Sequence, residues 1–408
     1  MSEVKQVPKL RFKEFSDSWS KVLLNDIATF LKGKSISKSD IVEDGEKECI
    51  RYGELYTDYN EIIDKVVSKT NLLTKDLIFS KKNDIIIPSS GETQLDIATA
   101  SCVIKDNVAL GGDLNIIRTK EDGIFIAYYL NNAKKKAIAS LAQGNSVVHL
   151  YNHQLKGLNL NLPDLKEQQK IATFLSSVDK KIEQLQQKKT GLEQYKKGIM
   201  QQVFSQKLRF KDDNGKEYPE WKKINHQITI IAGNAYEYKD YVQDGIVLVQ
   251  GVNITPGKLD VNSPLYISND KQANHVSLKF GDILLALNRP ITNGQLKVCR
   301  YNLKNEGYLY QRAGKLEFND NEIDSTFLYQ LLRSEVFMKK INIELVGSDQ
   351  PYIKSNLFKI INLLFPVKLE QTKIANFLSA IDAKIQLVTT QIEYTQQFKK
   401  GLLQQMFV

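Results

Sequence analysis

One segment of the chain occurs twice. Residues 167–185 read EQQKIATFLSSVDKKIEQL, and residues 370–388 read EQTKIANFLSAIDAKIQLV. Aligning Pro163 with Pro366 gives an offset of 203 residues (366 − 163), and this register holds without a gap to residue 408, with 19 of 43 positions identical. Identity of that extent at a fixed offset marks an internal repeat, so whatever structure the segment forms is present twice.

The repeated segments have the apolar spacing of long helices that each pack one face against another helix. Apolar side chains alternate at intervals of four and three residues, which is typical of a coiled-coil seam. A proline opens each segment, good helix formers follow, and Gly198 and Gly401 are the late helix-weakening residues. The pattern predicts two helices of roughly 35–40 residues, each about 55–60 Å long. The seam residues expected to pair are Ile171, Leu175, Val178, Ile182 and Leu185 in the first copy, and Ile374, Leu378, Ile381, Ile385 and Val388 in the second.

Polar residues interrupt both seams. Lys189 and Lys196 stand at seam positions of the first copy, and Thr395 and Lys399 stand at seam positions of the second. Such breaks disfavour long homotypic zippers and favour a partner helix held in a fixed register. A single amphipathic helix most often packs on the core of its own domain. These helices are longer than a domain whose radius is about 15 Å. The simplest way to bury their apolar faces is therefore to pack one repeated helix against the other, in antiparallel orientation.

The repeat extends more weakly upstream, so the duplicated unit is about half of the chain. Short β-branched runs alternate there with Gly, Asn and Pro turns, which indicates a mixed α/β body in each half. Each half also has one clear helix, which we expect to begin at a capping Asp122 or Asp324 and to end before Gly144 or Gly347. The predicted strands include Asp84–Ile87, Ile246–Val249 and Asp282–Leu287.

These patterns predict the fold class and the domain organisation. We expect an α+β chain in which two mixed α/β domains are separated by two long antiparallel helices that form a coiled coil, with a pseudo-two-fold internal repeat. Between the shared positions the two halves have diverged almost completely, so that one framework carries two different bodies. The predicted segments are 1–162 for the first domain, 163–205 for the central helix, 206–365 for the second domain and 366–408 for the C-terminal helix.

Composition narrows the class of protein. Among 408 residues, 56 Lys and Arg exceed 47 Asp and Glu to give a formal charge of +9, which is compatible with a polyanionic partner such as DNA. No apolar run approaches the ~18 residues needed to cross a bilayer, and MSEVKQVPK is not a signal sequence, so we expect a soluble cytoplasmic protein without a membrane partner. Three scattered cysteines, Cys49, Cys102 and Cys299, fit buried thiols in a reducing compartment better than a disulfide framework.

The sequence lacks the motifs of several enzyme classes. It has no Walker phosphate loop, dinucleotide fingerprint, Gly-x-Ser-x-Gly elbow or paired-histidine zinc helix. It also lacks the Asn- or Asp-Pro-Pro-aromatic tetrapeptide with which DNA amino-methyltransferases hold a flipped base. The carboxylate of Asp164 stands at a helix start, so we interpret it as a cap. The spacing of His149 and His153 would place both on one helical face, but no Cys, Asp or Glu cluster accompanies them, so we predict no metal site. Because the enzyme motifs are missing, we also predict no catalysis by this chain.

The paired Pro-x-x-x-Glu-Gln-x-Lys-Ile-Ala-x-Phe-Leu-Ser-x-x-Asp-x-Lys-Ile segments, each followed by Lys-Lys-Gly-x-x-Gln-Gln-x-Phe, resemble the DNA specificity subunit of type I restriction-modification systems. The resemblance covers the whole chain, with two variable target-recognition domains, a central conserved region and a C-terminal conserved region. It implies a host-defence protein that binds double-stranded DNA. Each variable domain would read one half of a split target, while the paired helices would set the spacer and dock two modification subunits.

The same resemblance implies that the cofactors belong to other chains. S-adenosylmethionine, ATP and Mg are expected on the modification and restriction subunits, and none is expected on this chain. The assembled complex would then perform adenine-N6 methylation and, with restriction subunits, ATP-dependent DNA cleavage.

Direct readout of DNA bases needs amide, hydroxyl or basic groups on loops that can enter the major groove. Polar loops at corresponding places in both halves carry such groups, although the same residue types also serve as ordinary turn residues. The candidates in the first domain are Lys34, Ser89, Ser90, Gly91, Glu92, Thr93, Gln94, Asn145 and Ser146. The candidates in the second domain are Tyr236, Lys239, Asn288, Arg289, Thr292, Asn293, Gln350 and Tyr352.

Two other classes of protein stay open from the residues alone. A non-enzymatic coiled-coil scaffold or adaptor, whose basic charge serves only solubility, would show no DNA specificity. A nuclease or methyltransferase with an unrecognised site would act on DNA without a partner subunit. Incubating the purified chain with DNA and S-adenosylmethionine, with and without a modification subunit, separates these classes.

Overall fold

The computed structural model describes residues 7–34, 36–144, 146–224, 227–268, 275–347 and 350–408. It divides into two compact units. Unit 1 comprises Met1–Gln186 together with Thr390–Val408, and unit 2 comprises Gln187–Thr389. Each unit therefore contains one body and a part of each repeated helix. The domain boundaries predicted from the sequence follow the repeat rather than this division, and they stay predictions.

Unit 1 is built from short strands and mostly short helices. Its strands are β1 (Ser20–Leu23), β2 (Ala28–Lys32), β3 (Lys47–Ile50), β4 (Ile62–Ile63), β5 (Ser68–Thr70), β6 (Asp84–Pro88), β7 (Ser90–Gly91), β8 (Ser101–Val103), β9 (Ala109–Leu110), β10 (Leu114–Thr119), β11 (Val148–His149) and β12 (Asn159–Leu162). Its helices are α1 (Leu24–Ile27), α2 (Glu54–Thr57), α3 (Gln94–Ile97), α4 (Gly123–Asn132), α5 (Lys135–Leu141), α6 (Asn152–Lys156) and the first part of α7 (Leu165–Phe204).

The main sheet of unit 1 has the order β2-β10-β6-β8-β4. Its pairs are antiparallel except β4 with β8, which is parallel. Side chains alternate between the two faces of a strand. Accordingly Ile85 and Ile87 pack in the cluster that contains the α4 residue Phe125, whereas Ile86 packs in a cluster on the opposite face. The sheet β5-β3-β9 and the strand pairs β1-β12 and β7-β11 complete the body.

Unit 2 has a related set of elements. Its strands are β13 (Ile228–Ala232), β14 (Tyr241–Val242), β15 (Ile246–Val249), β16 (Ile254–Thr255), β17 (Lys258–Leu259), β18 (Leu265–Ile267), β19 (Ser277–Leu278), β20 (Ile283–Ala286), β21 (Ile291–Thr292), β22 (Gln295–Leu296), β23 (Val298–Arg300), β24 (Gly307–Leu309) and β25 (Ala313–Phe318). Its helices are α8 (Ser325–Leu332), α9 (Glu335–Glu344), α10 (Leu357–Ile360), the last part of α7 and the first part of α11 (Lys368–Met406).

In the described residues of unit 2, two sheets and two hairpins form the body. The sheet β13-β25-β20-β23 is antiparallel, and the sheet β14-β18-β15-β24-β19 contains one parallel pair, β15 with β24. The strand β20 corresponds to β6. Its side chains again alternate, with Ile283 and Leu285 in the cluster that contains Phe327, and Leu284 in a cluster on the other face. The duplicated sequence thus folds into two related bodies.

The single helix predicted after Asp122, and again after Asp324, is wrong, because each of these segments forms two helices, α4 with α5 and α8 with α9. Asp122 and Asp324 do cap α4 and α8, accepting hydrogen bonds from the N–H of Phe125 and Phe327. In unit 2 the helix is interrupted at Ser334, whose extended backbone and side chain cap the second helix, α9. The helices end at Leu141 and Glu344, so Gly144 and Gly347 are not their C-caps; both glycines adopt positive φ in the turns that follow.

The two long helices predicted from the repeat are present, with 40 residues in α7 and 39 in α11. In unit 1 the start of α7 lies beside the end of α11, since Leu10 N–H donates to Gln405 O while its neighbour Arg11 binds Glu167. In unit 2 the end of α7 lies beside the start of α11. There the segment just after α7 carries Arg209, which binds Glu370. Within each unit the helices therefore run antiparallel.

The predicted seam residues are buried or half-buried. In unit 1, Ile171, Leu175 and Val178 of α7 share a core cluster with Leu402 and Met406 of α11, and Ile182 packs against it. In unit 2, Ile374, Leu378 and Ile381 of α11 share a cluster with Met200 and Val203 of α7, and Ile385 packs against it. Leu185 and Val388 are buried as well. Among the residues that the structure describes, no helix combines the length and apolarity needed to cross a membrane.

Candidate nucleic-acid interface

The repeated Glu-Gln pair attaches the body of unit 1 to the start of α7. The guanidinium of Arg11 donates two hydrogen bonds of 2.7 Å to the carboxylate of Glu167, whose side chain is 1% exposed. The amide of Gln168 donates to Pro163 O at 3.0 Å and accepts from the N–H of Asp122 at 3.1 Å. Asp164 caps α7 by accepting from the N–H of Glu167, as interpreted from the sequence. One dipeptide thus links α7 to the N-terminal segment and to the cap of α4.

Unit 2 repeats these contacts with the second copy. Arg209 donates two hydrogen bonds of 2.8 Å to Glu370, which is fully buried. Gln371 donates to Pro366 O at 2.9 Å and accepts from the N–H of Asp324 at 2.8 Å. The hydrogen bonds with Glu167 and Glu370 raise the pKa of both guanidinium groups, whereas burial acts to lower it. The repeat is therefore retained where it holds each body against the paired helices.

In unit 1, two of the predicted loops lie side by side. The strand β6 leads into β7, which pairs with β11 so that Ser90 faces His149 and Gly91 faces Val148. The Ser90 hydroxyl lies 3.3 Å from His149 Nδ1. Because Ser146 lies two residues before β11 and is exposed, the candidates around Ser90 and Ser146 belong to one surface. Asn145 lies outside the described residues.

The side chains of this first loop differ in what they offer to a ligand. Ser89 is 3% exposed, and its backbone is held by Asp113 O and by the N–H of Leu150. The hydroxyl of Thr93 is engaged in capping α3. Gly91 is buried, whereas Glu92 and Gln94 are exposed. Of this stretch, Glu92, Gln94 and the half-buried Ser90 are the groups that could contact a ligand directly.

Lys34 lies on a neighbouring strand end. It forms a parallel bridge with Gly111, and its exposed amine lies 3.4 Å from Lys75 O. The preceding Gly33 permits this bridge, since a Cβ there would lie 1.9 Å from Gly111 O. Lys34 is thus presented on close backbone contacts, and its exposed amine keeps two further N–H groups for a phosphate.

Unit 2 brings its two predicted loops together in the corresponding way. Asn288 follows β20 and forms a bridge with Tyr352, which also bridges Val346. The N–H of Arg289 donates to Pro351 O at 2.7 Å, and Arg289 has φ of 45°, a left-handed conformation. The side chains of Arg289 and Gln350 are exposed, and Tyr352 is 38% exposed. An amide, a guanidinium and a phenol therefore share this surface.

The remaining candidates of unit 2 have other contacts. Thr292 and Asn293 belong to the hairpin of β21 and β22, and Asn293 lines a cavity of about 760 Å³ together with Lys197 and Glu335. Tyr236 donates to or accepts from His275 Nδ1 at 2.8 Å and stacks on Tyr310. Burial raises the pKa of Tyr236 to about 12.

Lys239 is exposed and is paired with Glu237 at 2.8 Å. These contacts therefore do not link Lys239 or the three residues of the hairpin and tyrosine sites to the surface of Arg289 and Tyr352.

Comparison with known proteins decides what this arrangement belongs to. The family model of the type I restriction modification DNA specificity domain matches residues 16–194 and again residues 220–395. The chain belongs to this family. It is a sequence-specific DNA-recognition subunit of a type I restriction-modification system, and its two matches correspond to its two repeats.

Relatives and solved structures agree with the family. The chain is 29% identical over 397 residues to the type I restriction enzyme MjaVIII specificity subunit of Methanocaldococcus jannaschii, covering 95% of this chain and 91% of that protein. Its fold is similar to the type I restriction-modification S subunit of M. genitalium, with a TM-score of 0.62, 17% identity, and coverage of 98% and 99% of the two chains. A chain from a structure on complex assembly and conformational transition of the type I R-M system has a TM-score of 0.53, with 14% identity and coverage of 96% and 97% of the two chains.

Sequence reasoning missed a row of stacked rings beside the first loop of the DNA specificity chain. His149 stacks on Tyr151 with ring centroids 6.0 Å apart, and Tyr151 stacks on His153 at 5.7 Å. A shared helical face does not account for the two histidines, because His149 lies in β11 and His153 in α6. The spacing of rings at every second residue was the available signal. In the described parts of the chain, no group of three His, Cys, Asp or Glu could hold a metal ion.

Proposed function

We propose that each unit reads one half of a split DNA target through its paired loops. The observation that carries the proposal is the equivalent pairing of β7 with β11 in unit 1 and of Asn288 with Tyr352 in unit 2. Both pairings follow a buried central strand, β6 or β20, so the loops rest on a rigid base. The exposed groups differ between the units, with Glu92 and Gln94 in one and Arg289 and Gln350 in the other. Two unlike surfaces on one framework suit an asymmetric target.

We further propose that the chain works with partner subunits. Two modification subunits would dock on the paired helices and bring S-adenosylmethionine for adenine-N6 methylation. Restriction subunits would add ATP- and Mg-dependent DNA translocation and cleavage, and the complex would act in the cytoplasm. On this proposal the chain itself contributes DNA recognition and no catalytic group. The repeat supports two docking sites, because exposed residues such as Lys181, Lys197 and Gln201 recur as Lys384, Lys400 and Gln404 in the second copy.

The helices would also set the spacer between the half-sites. At 1.5 Å per residue, a helix of 40 residues is about 60 Å long. That length suffices to hold two readers one or more DNA turns of about 34–36 Å apart. The half-sites would then be read by the bodies and their separation would be fixed by the helices.

Expression with a cognate modification subunit in a host without DNA methylation tests the proposal. Sequencing of the modified adenines should yield one motif of two short specified parts that are separated by a fixed number of unspecified bases. A continuous motif would contradict the two-reader proposal. Complete absence of methylation with a correctly assembled complex would favour a scaffold without DNA specificity.

A further inference from the structure

Two of the lysines that interrupt the apolar seams, Lys196 and Lys399, are paired with the repeated aspartates. In unit 1, Lys399 Nζ lies 2.7 Å from Asp179 Oδ1. In unit 2, Lys196 Nζ donates to both oxygens of Asp382, at 2.6 and 2.7 Å. Lys196 is 7% exposed, so its charge has little access to water. Asp179 corresponds to Asp382 and Lys196 to Lys399 at the offset of 203 residues, so the two ion pairs are equivalent.

Each ion pair also binds the body of its own unit. In unit 1, Lys399 reaches Glu61 Oε2 at 3.2 Å, and the Tyr128 hydroxyl donates to Asp179. We call these four residues junction 1. Because Glu61 lies just before β4 and Tyr128 lies in α4, junction 1 ties α7, α11 and the body together.

Junction 2 in unit 2 consists of Lys196, Asp382, Gln330 and Arg333. Gln330 Nε2 donates to Asp382 Oδ2 at 2.7 Å, and Arg333 Nη1 lies 3.7 Å from the same oxygen. Gln330 lies in α8 and Arg333 directly after it, so the body again joins both helices at this point.

The residue numbers show that both ion pairs obey one register. In an antiparallel helix pair, the numbers of facing residues add to a constant. The numbers 179 and 399 add to 578, and so do 196 and 382. Each helix carries its aspartate 17 residues before its lysine (196 − 179 and 399 − 382). A shift of one heptad would leave both lysines and both aspartates without their ionic partners, which is unfavourable in these partly buried sites.

We propose that junctions 1 and 2 are positioning elements that fix where each DNA-reading body sits along the paired helices, and that they thereby set the spacer length of the target. This inference rests on the proposed function. It assigns spacer control to particular side chains, in addition to the length of the helices. A single polar or charged residue in a coiled-coil seam selects register at some cost in stability, and the junctions extend that selection from the helices to the bodies.

The two junctions should respond differently when their lysine is replaced. The third charged residue is the acidic Glu61 in junction 1 and the basic Arg333 in junction 2. Burial and the neighbouring Arg333 lower the pKa of Lys196. Burial also lowers that of Lys399, but Glu61 and Asp179 outweigh it and raise the pKa above its ordinary value. Removing Lys399 leaves Asp179 and Glu61 without the cation that they share. Removing Lys196 leaves Asp382 with Arg333 and Gln330. Lys399→Met should therefore have the larger effect.

The test uses the complex with modification subunits and a DNA library. Library members carry the wild-type half-sites with spacers up to four base pairs shorter or longer, since one heptad of about 10 Å corresponds to about three base pairs. Initial methylation rates give the ratio of the preferred spacer to the others. For Lys399→Met we expect this ratio to fall about tenfold, corresponding to about 1.4 kcal/mol. The specified bases should not change, and Lys196→Met should lower the ratio less.

A matched control distinguishes positioning from general weakening. Lys181 and Lys384 are also equivalent lysines of the repeat, and both are exposed. The variant Lys181→Met with Lys384→Met should keep the wild-type spacer ratio, whatever happens to the overall rate. Lys399→Arg should restore most of the ratio because it keeps the positive charge.

Two outcomes would overturn the inference. One is an equal loss of methylation at every spacer together with a lower melting temperature, which marks a purely structural role. The other is an unchanged ratio in Lys399→Met. If Lys399→Met does not fold, Lys399→Met with Asp179→Asn and Glu61→Gln removes all three charges, and the ratio should still fall. A wild-type complex without a split target or spacer preference would instead contradict the proposed function, which keeps the two failures apart.

Discussion

The ion pair of Arg209 with the buried Glu370 allows the loss of stability in a variant to be predicted. Glu370 is fully buried and accepts both of its ionic hydrogen bonds from Arg209. Arg209→Met would leave a buried carboxylate without its partner, which costs about 3–5 kcal/mol. Arg209→Met combined with Glu370→Met removes both charges. This double variant should still cost about 1 kcal/mol, because the hydrogen bonds from Arg209 to Tyr218 O and Pro219 O are lost as well. The double variant should thus be about 2–4 kcal/mol more stable than the single variant.

Tryptophan fluorescence during urea unfolding measures this difference. The chain has two tryptophans, Trp19 in unit 1 and Trp221 in unit 2. In a Trp19→Phe background, Trp221 therefore reports on unit 2. With a slope of about 2 kcal/mol per M, Arg209→Met should lower the unfolding midpoint by about 1.5–2.5 M urea, and the double variant by about 0.5 M.

Unit 1 offers an independent repeat of this experiment. Arg11→Met, with and without Glu167→Met, should behave alike when Trp19 is the reporter, because the geometry of the ion pair is the same. Equal losses in single and double variants would refute the reasoning, since the loss would then come from the arginine's other contacts. An unchanged midpoint in the single variant would also refute it.

Three further predictions concern recognition, spacing and the cysteines. Arg289→Ala should weaken methylation and relax one position of the second half-site, as measured by sequencing modified adenines; a loss that is uniform across sequences would identify a phosphate contact instead. Insertion of one helical turn near residue 185 should change the spacer and leave both half-sites unaltered, and an unchanged spacer in the methylation map would count against the helices as a ruler. Burial raises the pKa of Cys49 to about 11 and that of Cys102 and Cys299 to about 12, so thiol reagents at pH 8 should label none of them in the native chain and all three after unfolding; rapid native labelling would show that these sites open.

Much of the framework could be predicted because its sequence pattern occurs twice in the chain. Two copies of a seam with breaks at Lys196 and Lys399 define long helices that need a partner, and the structure has those helices. The caps at Asp122 and Asp324 were also predictable, because a short acidic side chain before an apolar run has a local cause. Periodicity and capping depend on residues that are close in the sequence, which is why they can be recognised without knowledge of the fold.

The features that sequence reasoning missed depend on distant residues. Glu61 and Arg333 join the seam lysine and aspartate from parts of the chain that the repeat does not share, so no pattern pointed to them. The interruption at Ser334 was hidden in a run of helix formers. The burial of Ser89 follows from pairing with the strand ends around Asp113 and Leu150, which a polar sequence does not reveal. Long-range pairing decides these details.

Exchange of one body tests the central claim most directly. Residues 206–365 would be replaced by the corresponding segment of a relative with a different target, and the methylated sites of both complexes would be sequenced. The account predicts that one half of the motif changes while the other half and the spacer stay the same. A change in both halves, or a hybrid that still methylates the original motif, would contradict it.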